Sequence, residues 1–180
     1  MKEQIDVIDE KTGRPTGEMA SRDDAHTKGL WHRAVHIWFI NSKKEILLQR
    51  RSKEVKNFPD SWDISSGGHV SSGEEAETAA LREIKEELGA DIHKDELKMI
   101  GDIKQQMVIN NGNYIDNEFN NVYLVEKDLD LRKLKKQIEE VQDLKWVPIE
   151  KFRKMVKEND KDLVPHPKEY AILLEKICKK

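Results

Sequence analysis

Three glutamates, Glu83, Glu86 and Glu87, stand at i, i+3 and i+4 in a helix-forming stretch from Glu75 to Leu88. On a helix, all three carboxylates project from one face. Like charges set this close repel one another, and folding alone does not call for them. A hard divalent cation with oxygen ligands turns that repulsion into binding energy, so the spacing predicts a metal site. Mg²⁺ suits such a site, since it takes a few carboxylates together with substrate oxygens and waters; Mn²⁺ is the natural substitute. A merely solvated acidic helix would carry similar charges. It would leave the glycine-rich Ser65-Ser66-Gly67-Gly68 upstream, and Arg82 directly before Glu83, without a purpose.

Length and composition bound the elements that must position these carboxylates. The chain has 180 residues, with 32 Lys and Arg against 35 Asp and Glu, a net charge of −3. That length suits one domain with its own core. The weak, scattered charge argues against nucleic acid as a partner. The most basic stretch, Arg132 to Lys136, is followed by Glu139 and Glu140 and reads as a solvated helix face. No apolar run is long enough for a membrane span, and the N-terminal residues lack the apolar core of a signal peptide. Cys178, the single cysteine, has no partner for an internal disulfide. The expected setting is cytoplasmic.

Along the chain, Ile5 to Ile8 and the turn-like Lys11 to Pro15 predict an N-terminal hairpin. Asp23 to Gly29 reads as a loop or a single helical turn. Trp31 to Ile40 and Ile46 to Arg50 are β-rich runs joined by a turn, followed by a loop from Ser52 through Gly68. After the glutamate helix come strands over Leu97 to Ile109 and Phe119 to Glu126, flanking the turn signal Asn110 to Asn113. A short strand, Leu144 to Val147, leads to a helix opened by Pro148 and running to about Lys157. Glu169 to Lys179 predicts a closing amphipathic helix. This order implies an α/β (α+β) sandwich, with a mixed sheet between helices. The expected organisation is a hairpin extension over 1–30, a catalytic domain over 31–163 and a C-terminal helix over 164–180. The hairpin and the last helix are the elements that could support a homodimer.

The stretch from Gly68 to Ala90 resembles the signature of the Nudix hydrolases: Gly, five residues, Glu74, seven residues, Arg82-Glu83-Ile84, then Glu86-Glu87 and Gly89. Ala90 departs from the pattern, which prefers a branched aliphatic there. The resemblance implies the Nudix fold and hydrolysis of a diphosphate linkage in a small molecule, of the nucleoside-diphosphate-linked kind. It implies Glu83, Glu86 and Glu87 as metal ligands, with the Gly68 backbone carbonyl completing the shell. Arg82 is implied as the residue that pairs with Glu74 and fixes the loop against the helix. Glu118, outside the signature, is the candidate general base beside Glu86 and Arg82.

A second resemblance is to isopentenyl-diphosphate isomerase, itself a member of the Nudix superfamily. It rests on Leu30 to Val35, Leu48 to Ser52, Lys56 to Pro59 before Trp62, Gly68-His69 and Asp116 to Glu118. It implies a second metal site from His32, His69, Asp116 and Glu118, with His26 one residue out of register. Arg51 and Lys56 are implied as diphosphate-binding residues. The isomerase's catalytic cysteine falls at Gly67 here, and glycine cannot protonate an alkene. The expectation is a hydrolase on the isomerase-like branch; the alternatives are isomerase-like chemistry and a non-catalytic ligand sensor. Trp62 either lines the pocket and stacks on a base or packs in the core. His36 and His93 read as packing or hydrogen-bonded residues, and His166 as a loop residue.

Overall fold

The computed structural model describes residues 3–178, so Lys179, the last residue of the expected closing helix, lies outside the described residues. Strands β1 (Gln4–Ile8) and β2 (Pro15–Ser21) form the N-terminal hairpin. Ile5 and Ile8 bury its inner face, and the Ile8 amide donates to the Trp31 carbonyl (2.7 Å). The hairpin thus hands the chain directly to the domain. Arg22–Lys28 is a helix, α1, and not the loop or single turn expected. Ser21 caps it by accepting from the Asp24 amide, Asp23 and Asp24 sit in its first turn, and Gly29 ends it at φ 65°.

The main sheet is mixed, with strands in the order β5-β4-β3-β8-β7. Its members are β3 (His32–Ile40), β4 (Glu45–Arg51), β5 (Trp62–Asp63), β7 (Lys98–Ile109) and β8 (Tyr114–Glu126). Two further strands join it: β6 (Ser66–His69) pairs with β3, and β9 (Val141–Pro148) pairs with β4. β3 and β4 meet only at Ile40 and Ile46. Beyond that point the sheet forks into two arms, with β6 beside β3 on one and β5 and β9 beside β4 on the other.

Apolar side chains fill both faces. Val35, Ile37, Phe39, Tyr123 and Val125 meet Ala79, Ala80, Ile84 and Leu88 of α2 (Ala76–Glu83) and the π-helical turn Ile84–Leu88 that continues it. Trp38, Leu48, Val122 and Leu124 meet Phe152 of α3 (Ile149–Lys157) and Tyr170, Leu173 and Ile177 of α4 (Pro167–Cys178). This is the sandwich read from the order of elements. Two expectations are corrected. The Gly/Ser-rich 66–69 is a strand, because β3 offers it a partner edge. Arg132 to Lys136 is solvated but only begins in a short 3₁₀ turn, Leu131–Lys133; the backbone then runs past the end of α2, Lys135 N donating to Leu88 O (3.0 Å) and Gln137 N to Glu87 O (3.0 Å). Among the described residues, no helix is long and apolar enough to cross a membrane.

Candidate active site

The signature glutamates leave α2 where its last turn widens into the π-helical turn, a distortion frequent at functional sites. Each has a different anchor. Arg82 donates to both oxygens of Glu74 (3.1 and 3.0 Å) and to the His69 carbonyl (3.0 Å), locking loop to helix. Its Nη1 also reaches Glu83 (2.7 Å) and Glu86 (3.2 Å). Glu87 accepts from Ser66 Oγ (2.6 Å) and the Gly67 amide (3.1 Å) on β6. Glu83 and Glu87 are buried, while Glu86 is exposed. Burial pushes Glu83 up to about 7 against the pull of Arg82, and Glu87 up to about 8 against the Ser66 hydrogen bond. Gly68 lies against Glu83 so closely that an added β-carbon would stand 2.3 Å from Oε1. Hard oxygen donors, two of them buried at a raised pKa, with a glycine backbone pressed on one, fit a divalent cation.

A second cluster forms on the inward face of two parallel strands. β8 begins at Tyr114 and not at Phe119, because hairpin pairing with β7 propagates back to Ile109–Tyr114. Asp116 and Glu118 are therefore i, i+2 neighbours on one face, and Glu118 pairs in register with His32 of β3. His69 comes from β6 and His26 from α1. His26 Nε2 is 3.0 Å from His69 Nε2, and His26 Nδ1 is 3.2 Å from Asp116 Oδ1. Glu118 Oε1 is 3.5 Å from His32 Nε2 and 3.7 Å from His69 Nε2. Burial holds the His69 imidazole well below its ordinary value. Burial works against ionising Glu118, but His32 and His69 outweigh it and hold the carboxylate low. His32 Nε2 is buried without a hydrogen-bond partner. An orphaned ring nitrogen among imidazoles and carboxylates fits a divalent transition metal.

Among the described residues, the side-chain groups whose ligand atoms lie within 4.8 Å of one another are His26–His32–His69, His32–Asp116–Glu118 and His36–His166–Glu169. The signature trio is not one of them: Glu87 turns to Ser66 and the Gly67 amide, while Glu83 and Glu86 share Arg82 Nη1. Both clusters nevertheless line a single cavity of about 300 Å³, through Gly68, Glu83, Glu86 and Glu87 on one side and His69, Asp116 and Glu118 on another.

A profile of the NUDIX domain matches residues 30–167. The chain belongs to the Nudix hydrolase family. Nudix hydrolase 3 of Arabidopsis thaliana is 40% identical over 168 residues, covering 92% of this chain and 22% of that protein. The chain therefore spans less than a quarter of that relative's length. Isopentenyl-diphosphate Delta-isomerase 2 of Photorhabdus laumondii is 32% identical over 154 residues, covering 86% of this chain and 82% of that one. A crystal structure of a Deinococcus radiodurans protein shares the fold at a TM-score of 0.66 and 24% identity, covering 87% of this chain and 90% of that one.

The Nudix cavity corrects part of the expected substrate set. Arg51 lines it and donates to Asp63 Oδ2 (3.0 Å). Lys56 is exposed on the loop before β5 and does not line it. Trp62 does not line it either: it is buried in the core with Arg50 and Lys145 over its ring (5.3 and 3.5 Å). A strand position whose neighbour Asp63 faces the cavity must turn its own side chain the other way. Lining residues to which the sequence reading gave no role include Gln49, Asp63, Glu140 and His166. His26, in the second cluster, entered only as a near match, one residue out of register. At Gly67, where the isomerase cysteine would fall, a β-carbon would meet Ile64 Cδ1 at 2.6 Å and the Val35 carbonyl at 2.7 Å.

Proposed function

We propose that this Nudix protein hydrolyses a diphosphate linkage in a small molecule, a nucleoside diphosphate joined to another group or a related diphosphate. The observation that carries this is the shared cavity, with complete signature carboxylates facing the His and acid cluster across it. Glu83, Glu86 and Glu87, with the Gly68 carbonyl, would hold Mg²⁺ or Mn²⁺, and His26, His32, His69, Asp116 and Glu118 a second cation. Such ions neutralise phosphate oxygens and supply an activated water.

The chain's own residues do the rest. Arg82, at the cavity wall, positions the loop and the helix through its paired bonds to both Glu74 oxygens. Arg51 stands at the cavity wall with a cationic edge suited to a phosphate oxygen. Glu118 orients the imidazoles and is the proton acceptor in reach of the cavity. Its ligand role is the better supported, because a carboxylate held low accepts protons weakly. Gly67 offers no acid for alkene protonation, which favours hydrolysis over isomerisation despite the isomerase-named relative. A cytoplasmic setting belongs to the same proposal.

The test is ³¹P and ¹H NMR of the purified protein with Mg²⁺ and a panel of nucleoside diphosphates, triphosphates, sugar-nucleotides and isopentenyl diphosphate. New monophosphate resonances are expected. Movement of the alkene signals with the diphosphate intact would overturn hydrolysis in favour of isomerisation.

A further inference from the structure

The cavity continues to a third wall that neither cluster uses. Gln49 on β4, Asp63 on β5 and His166 in the loop before α4 line it. All three are buried, with exposures of 4, 4 and 6%. Asp63 is fully engaged: His166 Nε2 donates to Oδ1 (2.9 Å) and Arg51 Nη1 to Oδ2 (3.0 Å). With Nε2–H directed at Asp63, Nδ1 is the ring nitrogen left to accept a hydrogen bond. That Nδ1 and Gln49 Oε1 are both buried with no hydrogen-bond partner in the protein. Behind them, His36 and Glu169 satisfy each other at 2.7 Å, and the Trp38 indole donates to the second Glu169 oxygen. The support of this wall is saturated, while its two acceptors are not.

Buried acceptors persist at a ligand site when the ligand brings the donors. We infer that Gln49 and His166, with Asp63 orienting the imidazole, bind the non-phosphate part of the substrate and select a moiety carrying O–H or N–H donors. Hydroxyls of a sugar and an amino group share that chemistry. An alkenyl chain would leave both acceptors unpaired, and a site built to accept hydrogen bonds rejects an analogue that cannot donate them. The selection rests on the cavity being the diphosphate site proposed above.

Isothermal titration with non-cleavable, methylene-bridged probes tests this on the full chain with Mg²⁺. The probes are a ribose 5-diphosphate analogue (hydroxyls only), a dideoxycytidine diphosphate analogue (amino group), the isopentenyl analogue, and methylenediphosphonate itself. At least one donor-bearing probe should bind roughly tenfold or more tighter than the isopentenyl analogue, and which one does so names the source of the donors. Gln49→Leu and His166→Phe should each erase about tenfold of that preference and leave methylenediphosphonate unchanged. The inference is overturned if the isopentenyl analogue binds as tightly as both donor-bearing probes, or if the variants weaken all four probes alike. Should either variant fail to fold by near-UV circular dichroism, the wild-type preference alone decides. None of the probes is cleaved at the bridge. An intact preference in a protein that hydrolyses nothing would therefore sink the hydrolase proposal and spare this one.

Discussion

The backbone of Gly68 rests against the carboxylate of Glu83, so that a β-carbon built on Gly68 would lie 2.3 Å from Oε1 and 2.4 Å from Cδ. The obstructing atoms are the tip of a flexible side chain, so the helix need not move to relieve the clash. Gly68→Ala should keep stability within about 1 kcal/mol of the wild type. Glu83 must swing away, and Mg²⁺ affinity should fall roughly tenfold or more, the usual cost of disturbing a ligand's placement. Calorimetric metal titration beside a thermal melt checks both halves. An unchanged affinity would remove Glu83 from the metal site.

Glu87 is buried, sits at a pKa near 8, and accepts from Ser66 and the Gly67 amide. In the metal-free protein at neutral pH its neutral form predominates, and a glutamine oxygen can accept the same two bonds. Glu87→Gln should therefore leave the metal-free melting temperature unchanged or raised while most activity disappears. The melting shift produced by Mg²⁺ should shrink with it. Full activity in the variant would refute the ligand assignment.

Glu118 on β8 stands 3.5 Å from His32 Nε2 and 3.7 Å from His69 Nε2. Glu118→Gln should lower turnover by about a hundredfold, the scale of a lost acid–base or orienting group. Mg²⁺ binding to the signature glutamates should stay nearly constant. Single-turnover kinetics with a parallel Mg²⁺ titration separates the two, and an unaltered rate would return Glu118 to an ordinary strand carboxylate.

His36 and Glu169 join β3 to α4 at 2.7 Å. Burial disfavours the imidazolium, but Glu169 outweighs it and His36 is raised from 6.5 to about 9. Folding raises this proton affinity, so the pair's contribution is complete below pH 6.5 and is lost as pH climbs through about 9. Urea unfolding across that range should show falling stability, and Glu169→Gln should flatten the fall. An equally steep fall in the variant would show that other groups govern it.

The functional core of this protein was legible wherever function depends on spacing along one helix. Glu83, Glu86, Glu87, Arg82 and Glu74 lie within 14 residues of one another in the chain, so periodicity alone could group them. The strand β3 was legible too, because its apolar residues bury on both faces of a sheet and read as a nearly continuous β-rich run. Local propensity misread the strand β6, since Ser and Gly favour turns and only the free edge of β3 made Ser66–His69 extended. It left Trp62 open between pocket and core for a related reason, since which face a short strand buries depends on its neighbours and not on its composition.

The sequence by itself determined the family, the sandwich of helices on a mixed sheet, and the acidic helix, because each follows from short-range pattern. The tertiary structure alone decided the cavity. It brings His26, His32, His69, Asp116 and Glu118 together from α1, β3, β6 and β8, and sets Gln49, Asp63 and His166 opposite them from three further segments. Asp63 and His166 are 103 residues apart, yet bond at 2.9 Å. No local propensity encodes such a contact; it exists because the forked sheet and the docking of α4 close on the same space.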